Sequence, residues 1–167
     1  MTNENVMTGS GGQHYIGAPN AVVVCIDGRQ APDASGKFYH AYSRAATPFV
    51  NFEQLVYLME QLFDELQFPY AATNDRSFWR KPLTFAMRKE RPQVMKDEEL
   101  LKKHGDLGTY IIRVQQRQNS SWQGRITWVE KNKTVNFRSV WEMVKLVDES
   151  LDAAGSEDPQ AELVWEE

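Results

Sequence analysis

The feature that most restricts how this chain can fold is an internal echo. Residues 109 to 152, TYIIRVQQRQNSSWQGRITWVEKNKTVNFRSVWEMVKLVDESLD, follow the plan of residues 21 to 67, AVVVCIDGRQAPDASGKFYHAYSRAATPFVNFEQLVYLMEQLFDELQ. Superposing Arg29-Gln30 on Arg117-Gln118 also places Gly36-Lys37 on Gly124-Arg125. A second turn three residues shorter then brings Val50-Asn51-Phe52 onto Val135-Asn136-Phe137. Hairpins with one apolar face and helices with one apolar stripe cannot stand alone in water, so two such units are expected to share one core. The expected class is α+β: two layers, tandem ββα repeats forming a roughly four-stranded antiparallel sheet with two helices on one face.

The periodicities support that plan. Ala21 to Gly28 is apolar on both faces (Val22, Val24 and Ile26 against Val23 and Cys25), as in a strand covered twice. A loop with Pro32, Asp33 and Gly36 leads to an alternating run, Lys37 to Tyr42, the second strand. Ala45 to Pro48 read as a turn. Asn51 with Gln54 forms a capping box for a helix whose stripe is Leu55, Leu58, Met59, Leu62 and Leu66, stopped by Pro69. In the second unit Tyr110, Ile112 and Val114 face Ile126 and Trp128, leaving Arg113, Gln115, Arg117, Arg125 and Thr127 outside. A short turn at Asn132 precedes a helix with Val140, Met143, Val144, Val147 and Leu151 inward and Ser139 to Glu142 as a second capping box.

Around these units the chain divides into a flexible leader (1–18), a single duplicated domain (19–152) and an acidic tail (153–167) ending in Leu163-Val164-Trp165 plus two Glu. Within the domain, unit 1 is 21–67, a wrapping segment is 68–108 and unit 2 is 109–152. Gly9, Gly11 and Gly12 lack the preceding strand and the following Lys-Ser/Thr of a phosphate loop. Pro69, Pro82 and Pro92 break the middle segment into short pieces, with one helix expected over Lys96 to His104. Phe78, Trp79 and Phe85 are expected to be hidden there, so that the segment wraps the core.

A length of 167 residues suits one domain, and 41% hydrophobic residues suffice for a core. A net charge of -4 argues against a dedicated duplex nucleic-acid binder. No apolar run is long enough to span a membrane, and one cysteine cannot form an internal disulfide, so a cytoplasmic setting is expected.

The stretches RQNSSWQGRITWVEKNKTVNFRSVWEMVKLVDESL and DELQFPYAATNDRSFW resemble a family of small, uncharacterised proteins from anaerobic Gram-positive gut bacteria. The resemblance covers most of residues 50 to 152, and its most specific elements are Arg-Gln-Asn, Trp-Gln-Gly and Asn-Phe-Arg-Ser. It implies a bacterial, cytoplasmic setting and transfers no activity, cofactor or site.

Reactive groups are sparse in pattern. His14, His40 and His104 have no ligand at metal spacing, and His40 shares a face with Phe38 and Tyr42. Hydrolase, zincin and nucleotide signatures are absent, and Cys25 sits in an apolar strand where a thiol is inert. Asp64 and Glu149, which the superposition aligns, are the one carboxylate pair the repeat offers for acid/base work. No catalytic residue, metal or cofactor is assigned. The conspicuous set is basic: Arg29, Gln30 and Lys37 match Arg117, Gln118 and Arg125, Arg113 extends the row, and Tyr39 and Trp122 offer rings for stacking. These residues leave two readings. One is a non-catalytic interaction or regulatory module that binds another protein. The alternative is a nucleic-acid or anionic-ligand binder using those basic residues on the sheet face.

Overall fold

The computed structural model describes residues 14, 16, 19–72, 76–79 and 91–155. Strand β1 (Ala21–Gln30) has no wet face along its first six residues, and it accordingly occupies the middle of a sheet. On one side it pairs antiparallel with β2 (Asp33–Tyr39), which pairs with the short β3 (Thr47–Phe49). On the other it pairs antiparallel with β4 (Gly108–Gln116), followed by β5 (Gln123–Trp128) and β6 (Lys133–Phe137). The sheet is open and six-stranded, in the order β3-β2-β1-β4-β5-β6. Helix α1 (Phe52–Leu66) and helix α3 (Val140–Gly155) cover one face, sealing Val22, Val24, Ile26, Tyr110, Ile112 and Val114.

The expected four-stranded sheet is therefore too small. Residues 47–49, overlapping the expected turn at Ala45 to Pro48, and residues 133–137, between the expected turn at Asn132 and the helix, each add a strand. Neither advertises itself, because β3 holds only three residues with Pro48 at its centre, and β6 buries only Phe137. The first hairpin is also tighter than expected. Asp33 to Gly36 belong to β2, and Asp33 Oδ1 accepts from the Phe52 N–H at the start of α1.

Several positions 88 residues apart have matching backbone surroundings. Gly36 pairs with Phe49, and Gly124 with Phe137. Register shifts interrupt β1 between Ile26 and Gly28 and β4 between Val114 and Gln116. At the helix starts, Asn51 Oδ1 accepts from Gln54 N and Gln54 Oε1 from Val50 N. Likewise Ser139 Oγ accepts from Glu142 N and Glu142 Oε1 from Arg138 N. In cap geometry and strand pairing Asn51 resembles Ser139, and Phe49 resembles Phe137, rather than the expected match of Val50-Asn51-Phe52 to Val135-Asn136-Phe137.

The other face of the sheet carries a smaller apolar layer. Helix α2 (Asp97–Leu100) and its flanks set Met95 and Leu100 against Val23, Cys25 and Ile111, with Ile16 beside them. Backbone bonds from Val94 and Met95 to Ala41 O, and from Leu107 to Ile26 O, hold this layer down. The helix is shorter than the Lys96 to His104 expected. Its last N–H groups tighten onto nearer carbonyls, and Gly105 N turns to Thr109 Oγ1. Phe78 and Trp79 are not hidden: both are exposed and meet edge-on at 6.1 Å. Phe85, the leader's glycines and the 156–167 part of the tail lie outside the described residues.

Gly36 and Gly124 each sit next to a register shift, where the strands come too close for any side chain. A Cβ on Gly36 would meet Cys25 O at 1.9 Å, and one on Gly124 would meet Arg113 O at 2.0 Å. Both obstacles are backbone and cannot rotate away. Gly36→Ala and Gly124→Ala are expected to lower stability by more than about 2 kcal/mol each. Urea unfolding should show this as a reduced midpoint at unchanged slope.

Candidate functional site

Side chains alternate along a strand, so Arg117 should share the outer face with Arg113 and Gln115. The irregularity at Gln115 breaks that alternation: an extra residue rotates the remainder of the strand by one position and carries Arg117 to the helix side. There its side chain is 4% exposed. Nη1 donates to Glu60 Oε1 at 2.9 Å and Asp64 Oδ1 at 2.7 Å, and Nε donates to the Pro69 carbonyl at 2.6 Å. The irregularity at Asp27 does the same for Arg29, whose Nη2 reaches Asp148 at 2.6 Å and Asp152 at 2.8 Å. Each arginine therefore ties the end of a central strand to the helix of the other half. Neither helix has a basic residue in its last turn. The two arginines supply cations where the helix dipole is negative and the carboxylates would otherwise repel it.

The other basic-set residues are scattered. Trp122, taken as a stacking surface, is buried; it packs edge-on against Phe63 at 5.5 Å and its Nε1 donates to Glu60. Arg113 and Arg125 are direct cross-strand neighbours on the outer face, and Arg113 donates to the Ile16 carbonyl. Lys37 is half-buried two strands away, opposite Cys25. Gln30 is exposed at the first hairpin, and Gln118 is exposed at the turn where its backbone N–H is held by Gln123 Oε1. The structure thus joins Arg113 with Arg125, and sends Arg29, Arg117 and Trp122 to the opposite side. Asp64 is engaged by Arg117, away from the proposed partnership with Glu149.

What the sequence did not reveal is a groove of about 590 Å³ between α3 and the outer strands. Ile126, Trp128, Val135 and Leu146 form its apolar walls, Lys133 and Glu149 stand at its rim, and Tyr110 and Ser150 meet at its floor. Tyr110 Oη and Ser150 Oγ are 2.5 Å apart, and burial pushes the phenol up to about 12. A comparison with the first half explains the opening. At the positions 88 residues earlier, buried Leu62 stands for Ser150, and Glu65, paired with Arg91 at 3.6 Å, stands for Ala153. The groove exists because a small side chain stands where the other helix has a large one, and no local sequence pattern marks that difference.

The isolated reactive groups have structural settings. Burial pushes the Cys25 thiol up to about 11, away from nucleophilic thiolate chemistry. His40 lies between Phe38 and Tyr42, and its Nδ1 accepts from Tyr42 N. Among the described residues no cluster of three or more His, Cys, Asp or Glu could hold a metal ion. Nor is any described helix long and apolar enough to cross a membrane. No family model matches the chain, and no curated protein or solved structure does.

Removing Arg117 strands two carboxylates and a carbonyl around a buried hole, whereas Arg29 is 18% exposed. Arg117→Ala should cost about 3 kcal/mol and Arg29→Ala about 1 kcal/mol in denaturant unfolding. A second expectation concerns pH. Burial lowers the His40 pKa from its ordinary 6.5, so the unfolded chain binds the proton more readily. Stability from this group is complete above the unfolded value and falls as pH drops from 6.5 toward the folded value. The urea midpoint should decline from pH 7 to about 5.5, and His40→Gln should flatten that part of the profile.

Proposed function

We propose that this chain is a non-catalytic interaction module, two βββα units side by side in one sheet, that binds a protein partner through the groove between α3 and β6. The observation that carries the reading is the open, largely apolar groove next to a sheet edge. Val135 is 46% exposed in it, on the outermost strand. An unpaired strand edge beside an apolar trough suits an extended segment of another protein, with backbone bonds for affinity and side-chain pockets for selection. The even spacing of glycines, bulges, caps and arginines supports a duplicated origin, with the halves diverging at Leu62 and Ser150. A reducing, cytoplasmic setting fits the single buried thiol.

The nucleic-acid or anionic-ligand reading keeps one observation in its favour, the cross-strand pair of half-buried Arg113 and exposed Arg125 on the outer face. It is the weaker reading because Arg29 and Arg117, the duplicated arginines that suggested it, are neutralised by carboxylates.

Capture on the tagged chain from a lysate of its native host at moderate salt separates the two. A stoichiometric protein, a protein-like 260/280 nm ratio, persistence in raised salt and loss with Val135→Asp are the expected results. A high ratio that collapses with salt, and with the Arg113→Ala, Arg125→Ala double variant, would overturn the reading in favour of nucleic acid.

A further inference from the structure

Replacing a buried leucine by serine under a packed helix leaves a cavity that destabilises the fold unless something else fills the space. Ser150 creates such a space where the first half has Leu62, and Ala153 widens it. The floor of the groove is chemically directional. Ser150 Oγ donates its one proton to the Val147 carbonyl at 2.7 Å, so Tyr110 Oη must donate to Ser150 at 2.5 Å. The Tyr110 oxygen is left with acceptor capacity and no remaining proton. A buried occupant with an apolar body and a single N–H donor would match it, and tryptophan is the side chain of that description.

The chain carries such a segment next to the groove. Ala153 lines the groove and α3 ends at Gly155, two residues further on. Seven residues, 156 to 162, separate Gly155 from Leu163 and can span up to about 24 Å, ample for a reversal into the groove. Glu157, Asp158, Glu162, Glu166 and Glu167 give the segment an acidic character. Lys133 at the rim and Lys131 just before it are complementary; Glu149 opposes them, so the attraction is concentrated at the β6 side.

We propose that Leu163-Val164-Trp165 of this same chain docks in the groove, with Trp165 over the Tyr110 and Ser150 pair, so that a partner must displace it to bind. This rests on reading the groove as a protein-docking site. It makes the segment an internal competitor that sets the threshold for binding.

Hydrogen exchange read by mass spectrometry on the full chain tests it, with a synthetic peptide of residues 156–167 as the reference. Amides of 160–167 should exchange at least about tenfold more slowly in the chain than in the peptide. Ser150→Leu, which restores the side chain found in the first half, should return them to the peptide's rate. Trp165→Ser, which leaves every side chain of the groove unchanged, should do the same. Equal rates in the unaltered chain overturn the proposal. Protection that vanishes on dilution also overturns it, by assigning the groove to the segment of a second copy. Protection with partner capture indifferent to Val135→Asp sinks the interaction reading alone, whereas groove-dependent capture without protection sinks this one alone.

Discussion

The ladder between β1 and β4 is the contact on which everything else depends. Among the described residues it is the only strand pairing between the two halves, and its register, Ala21 opposite Arg113 through Ile26 opposite Gly108, aligns Val22 with Ile112 and Val24 with Tyr110. Those residues form the floor beneath both long helices, while Val23 and Ile111 form the floor beneath α2. A slip of one residue would exchange the two faces and leave all three helices on the wrong surface. Asn20 extends the ladder past its end, its side chain and carbonyl bonding both backbone groups of Val114.

Once the halves are joined, the arginine clamps cross between them. Arg29 holds α3 and Arg117 holds α1, so neither helix can lift without breaking a contact to the opposite half. The clamps are unequal in depth. Arg117 lies 5.9 Å over the Phe63 ring and shares Glu60 with Trp122, whereas the residue 88 before Trp122 is Ala34. The two sides of the sheet are thus filled differently: the α1 side has the tighter clamp and the α3 side the open groove.

Much of the fold was legible because period and capping are local signals. The strands around Val24, Phe38, Ile112 and Ile126, both long helices and their caps follow from alternation, stripes and Asn51 or Ser139 alone. The edge strands were not, since Pro48 interrupts one and solvent surrounds most of the other. The candidate site was less legible still, for a single reason. Alternation counted from Arg113 places Arg117 outside, and one extra residue at Gln115 reverses that count without leaving any mark in composition. Trp122 went the same way, its indole serving Glu60 in the interior. The groove depends on what is missing from a side chain at Ser150, and a missing side chain has no pattern.

The two ends of the sheet are not alike. β3 stops after three residues around a proline that cannot donate a hydrogen bond, so that margin is blunt. β6 offers five residues without proline. Among the described residues β6 is therefore the margin whose backbone groups are better placed for strand addition. The asymmetry of length and proline content gives the sheet one blunt margin and one regular one.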